Sequence, residues 1–434
     1  MLGSLEIKVD PEKLNEGSPE ERACFAALTI SFGAVLLTEG YDEFINKVRS
    51  APLLSSYHLA EWIAWNWWRL RWEPRTPAPD WAFAHRMASI GEGYVWPDIT
   101  VFSDGQRVAL LAKPTPRRPN TRFRYLSETA AVVRAEEFEY TMESFIEQVR
   151  GLLREQRITE SNLDRIWSDV QEERKDPGTF KQRKWEALLG CDPDEGDPTI
   201  LRQLLEDAQA LGEESMNEVA ANVPNGGRLL SLQTLRDEEK ANGYDADPKN
   251  MVRLADRSTL PNIGEVAAWR LGAEAARALR KQERFGSGPI SNDRLAGLAG
   301  IDPKILSDKS LGATFSFALD QGRTSRVVLR SPWETSRRFE LARLLGDRLL
   351  AAGPGRLFLA SRAYTYRQKM QRSFAAEFLS PFESLDPMLG GDYSPENQER
   401  AAHGFNVSEW TIRTLLVNHN RLGRDDIDDE IAVS

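Results

Sequence analysis

Seven of the chain's twelve tryptophans, Trp62, Trp65, Trp67, Trp68, Trp72, Trp81 and Trp96, fall within 35 residues. Rings of that size need a surrounding shell of chain to exclude water, so a compact N-terminal domain is expected around this stretch. Trp65, Trp68 and Trp72 stand at i, i+3 and i+7, one face of a helix. The spacing predicts a buried core helix with bulky packing. An aromatic platform for stacked bases or a bound peptide is the functional alternative.

Downstream, Asp98 to Phe102 and Arg107 to Ala112 are β-rich runs around Asp104-Gly105, a strong hairpin turn signal. Glu136 to Arg154 then carries Phe138, Met142, Phe145, Ile146, Val149 and Leu152 at helical spacing. The sequence as a whole predicts a helix-rich α+β chain. Residues 1–22, with Pro11, Gly17 and Pro19, read as a loose arm, and 23–156 as a Trp-rich α+β domain with a small antiparallel sheet. Residues 157–262 read as a helical connector domain with loops rich in Asp, Gly, Pro and Asn. A C-terminal α+β domain spans 263–423, and 424–434 is an acidic tail.

With 434 residues, two or three ordinary cores can form. No window approaches the roughly 18 consecutive apolar residues of a membrane span. The longest apolar run, Ala26 to Leu37, follows an acidic start and does not read as a signal peptide. Cys24 and Cys191 are too few for a disulfide framework or a Cys-based zinc site, and four dispersed histidines speak against a His-rich one. The cytoplasm is the expected location. A net charge of −10 disfavours a general polyanion binder while leaving room for a local basic face.

Several short motifs carry chemistry elsewhere. Asp192-Pro193-Asp194-Glu195-Gly196-Asp197 resembles a calcium loop, but the positions that need Gly and Glu hold Asp197 and Gln203, so an acidic surface loop is expected. Pro97-Asp98 followed by Leu111-Ala112-Lys113 has the outline of a PD-(D/E)xK nuclease core. Leu111 stands where the second metal-binding acid belongs, so a structural hairpin is expected. Lys113, Arg117, Arg118, Arg122 and Arg124 place five cations in twelve residues without an acid, interleaved with Phe123 and Tyr125. Such a stretch is a candidate contact for nucleic acid or an acidic partner; a solvated Pro-rich loop is the alternative. Ser291 to Pro303 and Ala401 to Leu416 have helix-turn-helix outlines, with recognition helices thin in base-reading side chains.

Residues 338–350, Arg-Phe-Glu-Leu-Ala-Arg-Leu-Leu-Gly-Asp-Arg-Leu-Leu, have the apolar frame of a helix that in zinc peptidases carries His-Glu-x-x-His. Flanking landmarks occur in order: Arg337-Arg338-Phe339-x-Leu341-Ala342, two strand-like runs within Thr314 to Leu329, Phe374-Ala375-Ala376-Glu377-Phe378-Leu379-Ser380-Pro381 and Phe405-Asn406-Val407-Ser408. Together, 263–423 resembles an ImmA/IrrE-type, zincin-like metallopeptidase domain. Against that resemblance, the two histidines correspond to Arg343 and Asp347, and the general-base glutamate to Leu344. The third ligand, an acid before the Phe-Ala-Ala run, falls where the chain has Gln368, Lys369, Met370 and Gln371. A guanidinium has no lone pair for a metal, and leucine takes no proton from water.

The resemblance therefore implies a pseudopeptidase, not an enzyme, without metal or cofactor, with Arg343 and Asp347 paired at the emptied site. Members of the family act in bacterial stress responses, toxin–antitoxin modules and phage defence. The implied role is regulatory or sensory, through a protein partner such as a repressor, toxin or effector, with no membrane partner. Two other readings stand beside it. One is a DNA-binding regulator or defence component using 113–124 and the helix-turn-helix-like segments. The other is an active hydrolase with an unrecognised site, for instance Asp98 with Glu92 or His85.

Overall fold

A computed structural model describes residues 3–423 apart from 79, 117–120, 225–227, 310–312, 323 and 352–355; the expected acidic tail lies outside the described residues. The fold is α+β and rich in helix, with small antiparallel sheets. No helix among the described residues is long and apolar enough to cross a membrane. The chain divides into two compact units, one of residues 1–201 with 223–227, the other of 202–222 with 228–434.

In the first unit, strand Phe25–Phe32 alternates inward Ala26, Leu28 and Ile30 with outward residues and pairs antiparallel with Leu5–Pro11, Ile7 opposite Ile30. The beginning of the chain is therefore not the loose arm expected for 1–22. Leu5, Ile7 and Val9 share one face of a strand, and burying Leu5 and Val9 outweighs the cost of ordering it. A second sheet has the order Thr129–Arg134, Arg107–Lys113, Asp98–Ser103, and contains the expected hairpin. A third joins Lys47–Arg49, Gly40–Asp42 and Phe123–Tyr125. The amphipathic helix forms over Ala135–Glu155 and buries Phe138, Met142, Phe145, Ile146 and Val149.

The tryptophans build this core, with one departure from the expected stripe. Asn66 ends one helix, Ser56–Trp65, before the next, Trp67–Trp72, begins. Its side-chain amide donates to Trp62 O at 2.8 Å, and the change of phase leaves Trp65 59% exposed while Trp67 and Trp68 are buried. Nor does 157–262 form a domain of its own. Trp167, on helix Asn162–Lys175, packs edge-on against Trp67 at 5.0 Å within the first core. Residues from 202 onward belong instead to the second unit, apart from 223–227.

The second unit is a four-stranded antiparallel sheet, ordered Tyr244–Ala246, Ser325–Val328, Ser316–Asp320, Leu357–Ala360, with helices built around Tyr366–Leu379. The helix Tyr366–Leu379 is approached closely on two sides. A β-carbon at Gly272 of helix Ala268–Gln282 would meet Met370 O at 2.3 Å, and one at Gly346 of helix Glu334–Leu350 would meet the Phe374 ring at 2.5 Å. Glycine lets the first pair approach backbone to backbone and lets the Phe374 ring lie directly on the backbone of the second neighbour.

Candidate functional site

The helix Glu334–Leu350 contains the positions on which peptidase chemistry would depend. Leu341, Ala342, Leu344, Leu345, Leu349 and Leu350 are buried in the second core, which accounts for the helix and its depth. Leu344 is 3% exposed and apolar, so no proton acceptor stands at its position.

Arg343, on the same helix, is 8% exposed. Its Nη2 donates to Gln368 Oε1 at 2.6 Å, to Ser361 O at 2.7 Å and to Gln371 Oε1 at 3.4 Å, while Nε has no partner among the described residues. Burial, with the like charge of Arg372 nearby, pushes the Arg343 guanidinium down to about 9, still protonated at neutral pH. The expected Arg343–Asp347 pair does not form. Asp347, 1% exposed, instead accepts two parallel hydrogen bonds from Arg367, Nε to Oδ1 and Nη2 to Oδ2, each 2.7 Å. A planar fork meeting a carboxylate this way outcompetes a single contact along the helix.

Gln368 connects these groups to a carboxylate from far along the chain. Its Nε2 donates to Leu359 O and to Glu218 Oε2, both at 2.8 Å, and Thr365 Oγ1 also donates to Glu218 Oε2 at 2.8 Å. Glu218 lies on helix Glu213–Asn222, where Ser215 to Asn222 are all buried. Burial raises its carboxyl above the usual range, Arg367, Gln368 and Thr365 oppose the rise, and Asp347 adds to it. Gln368 and Gln371, which the sequence resemblance sets near a third ligand position, both accept from Arg343. Arg367 and Glu218 were not foreseen. The one available signal was an acid in the run Met216 to Ala221, apolar apart from Glu218 and Asn217.

These residues do not fit a zinc ion. Arg343 offers no lone pair, Leu344 no polar atom, and both oxygens of Asp347 are held by Arg367. Among the described residues no group of three His, Cys, Asp or Glu is placed to hold a metal.

The remaining candidates separate. Asp98 is clamped by Arg86 through two hydrogen bonds of 2.5 and 2.7 Å. His85 is fully buried, with Nδ1 against Val101 O and Nε2 against Glu73 Oε2, both 2.8 Å, so it is tied into the core. In the acidic loop, Asp192 is 3.3 Å from Arg69 and Asp194 is 2.8 Å from Arg183. Burial pushes the Cys24 thiol up to about 12, far from a reactive thiolate. The second element of the first helix-turn-helix outline, Lys304–Ser307, is a single turn with Ile305 and Leu306 buried, too short to lie in a groove. Of the five clustered cations, Lys113 and Arg122 are exposed, Arg124 is half-buried beside the Gly40–Asp42 strand, and Arg117 and Arg118 lie outside the described residues.

No family model, no curated protein and no solved structure matches this chain.

Proposed function

We propose that the chain is a catalytically inactive regulatory or sensor protein whose C-terminal unit is ImmA/IrrE-like. It acts by recognising a protein partner, such as a repressor, toxin or effector, in a bacterial stress-response, toxin–antitoxin or phage-defence setting in the cytoplasm. The observation that carries the proposal is that the altered positions Arg343, Leu344 and Asp347 are all turned inward and buried. Arg343 is bound by Gln368 and Gln371, Asp347 by Arg367, and Leu344 is core. Losing a single ligand would leave a cripple of the same enzyme. Buried hydrogen bonds at Arg343 and Asp347 and apolar packing at Leu344 support a domain retained for its surface and interior.

The test is metal analysis of the purified protein beside an Arg343→His, Leu344→Glu, Asp347→His triple variant. The natural chain is expected to carry no stoichiometric zinc or manganese and to cleave no co-purifying partner. Near-stoichiometric metal in the natural protein would sink the proposal, because the donor set above has no room for it.

A further inference from the structure

In the first unit, residues 40–49 form a hairpin whose turn is unusual. Strand Gly40–Asp42 pairs with Lys47–Arg49, and the turn between them carries Phe44 and Ile45. Turn positions normally hold Gly, Asn, Asp or Ser, which suit the backbone and water. Here Phe44 is 74% exposed, Ile45 46% and Val48 on the adjoining strand 57%. The turn is nevertheless well made. Asn46 takes the left-handed conformation, and Asp42 Oδ1 accepts from Phe44 N at 2.9 Å. Clustered apolar side chains held out on a rigid tip mark an interaction site more often than accident.

Cations frame the tip. The Arg122 guanidinium lies 5.0 Å over the Phe44 ring and Arg124 lies 5.3 Å over Tyr41. Strand Phe123–Tyr125 pairs with Gly40–Asp42, and Glu43 N donates to Arg122 O at 2.9 Å, so the two segments move as one. Residues 40–49 and 122–125 hold four cations, Lys47, Arg49, Arg122 and Arg124, against two acids, Asp42 and Glu43. Asp42 lies 3.6 Å from Arg49 and Glu43 3.3 Å from Arg124. The patch has a net charge of +2 on a chain whose total is −10.

We propose that this hairpin tip binds single-stranded nucleic acid, with an unpaired base on Phe44 and the neighbouring phosphates against Arg122, Arg124 and Lys47. The occupant must be anionic and must offer flat apolar surface. An unpaired strand offers both in alternation, base then phosphate. A duplex keeps its bases stacked away from Phe44, and an acidic peptide supplies the charge without the rings. The site shares no residue with the peptidase-like helix and is independent of the function proposed above.

Fluorescence anisotropy of the full chain with a short labelled oligothymidylate over a salt series is the test. Binding should weaken with salt, with a log–log slope of about −2 for three phosphates. Phe44→Ala should weaken it about tenfold or more and Phe44→Trp should retain it. Arg122→Gln with Arg124→Gln should flatten the slope by roughly 1.4. The three substituted side chains reach the surface, so an unchanged thermal midpoint verifies the fold of each variant. Absence of binding at low salt, or equal affinity in Phe44→Ala, overturns the proposal. So does capture by phosphatidylserine vesicles without oligonucleotide binding, which would make the occupant an anionic membrane surface.

Discussion

The Asp347–Arg367 fork is the clearest single interaction in the second unit, because burial makes each partner depend on the other. The Arg367 guanidinium is held above its ordinary value; burial opposes this, and the Asp347 charge and hydrogen bonds more than offset it. Removing one partner of such a pair leaves the other charge uncompensated. Asp347→Ala should therefore destabilise the chain by about 3 kcal/mol in denaturant titration, toward the lower end because the Arg367 side chain remains 20% exposed. A joint Asp347→Leu, Arg367→Met change should cost clearly less than Asp347→Ala alone. If the double variant is worse, the pair contributes net attraction beyond mutual compensation. Glu218 yields a prediction of opposite character. Its folded value is raised, so its stability contribution is complete below the unfolded value of about 4.3 and is lost as pH rises through the folded value. Glu218→Gln keeps an oxygen acceptor for Thr365 and Gln368 but has no proton to lose. Its melting midpoint should exceed that of the natural chain near pH 8 and converge with it near pH 4. Parallel midpoints across that range would remove Glu218 as the titrating group.

At the scale of elements, one glycine sets how closely two helices pack and another does not. At Gly272 the obstacles to a β-carbon are backbone atoms, Met370 O at 2.3 Å and Phe374 N at 2.8 Å, so the helices Ala268–Gln282 and Tyr366–Leu379 must separate to admit one. Overpacking of this kind costs about 1–3 kcal/mol, against roughly 1 kcal/mol gained in helix propensity. Gly272→Ala should be destabilising by about 1–2 kcal/mol overall. Gly297, in helix Asn292–Leu298, would meet nothing within 4 Å, so Gly297→Ala should be neutral or stabilising by up to about 1 kcal/mol. Chemical denaturation of both variants checks the sign of each. Elements of this kind were legible where the pattern was local: the hairpin of Asp98–Ser103 with Arg107–Lys113, the Ala135–Glu155 helix and the frame of Glu334–Leu350 all follow from turn chemistry or periodicity within a window. Tyr244–Ala246 was not, because three residues become a strand only through the partner Ser325–Val328. The candidate site was legible to the same degree. Arg343, Leu344 and Asp347 stood out against the peptidase-like pattern that the sequence resembles. Their partners did not, since Arg367 and Glu218 are brought in by packing over long stretches of chain and no spacing announces them.

For the whole molecule, the two units carry separate hydrophobic cores, one gathered around Trp67, Trp68, Phe138, Phe145 and Trp167, the other around Phe374, Phe378, Leu341 and Leu345. A core is the unit of cooperative melting, so two of them need not melt together. Calorimetry should resolve two transitions, with a total enthalpy exceeding the van't Hoff enthalpy of either. Substitutions assign them. Trp167→Ala empties a fully buried site and should cost about 3–5 kcal/mol, lowering one transition. Asp347→Ala should lower the other and leave the first in place. Helix Pro198–Leu211 runs unbroken through the 201–202 boundary, so a single transition is the physical alternative. It would appear as one peak with matching enthalpies, shifted as a whole by either substitution. In that case the two cores would act as one cooperative body, and a change sensed in either would reach the other through the folding equilibrium itself.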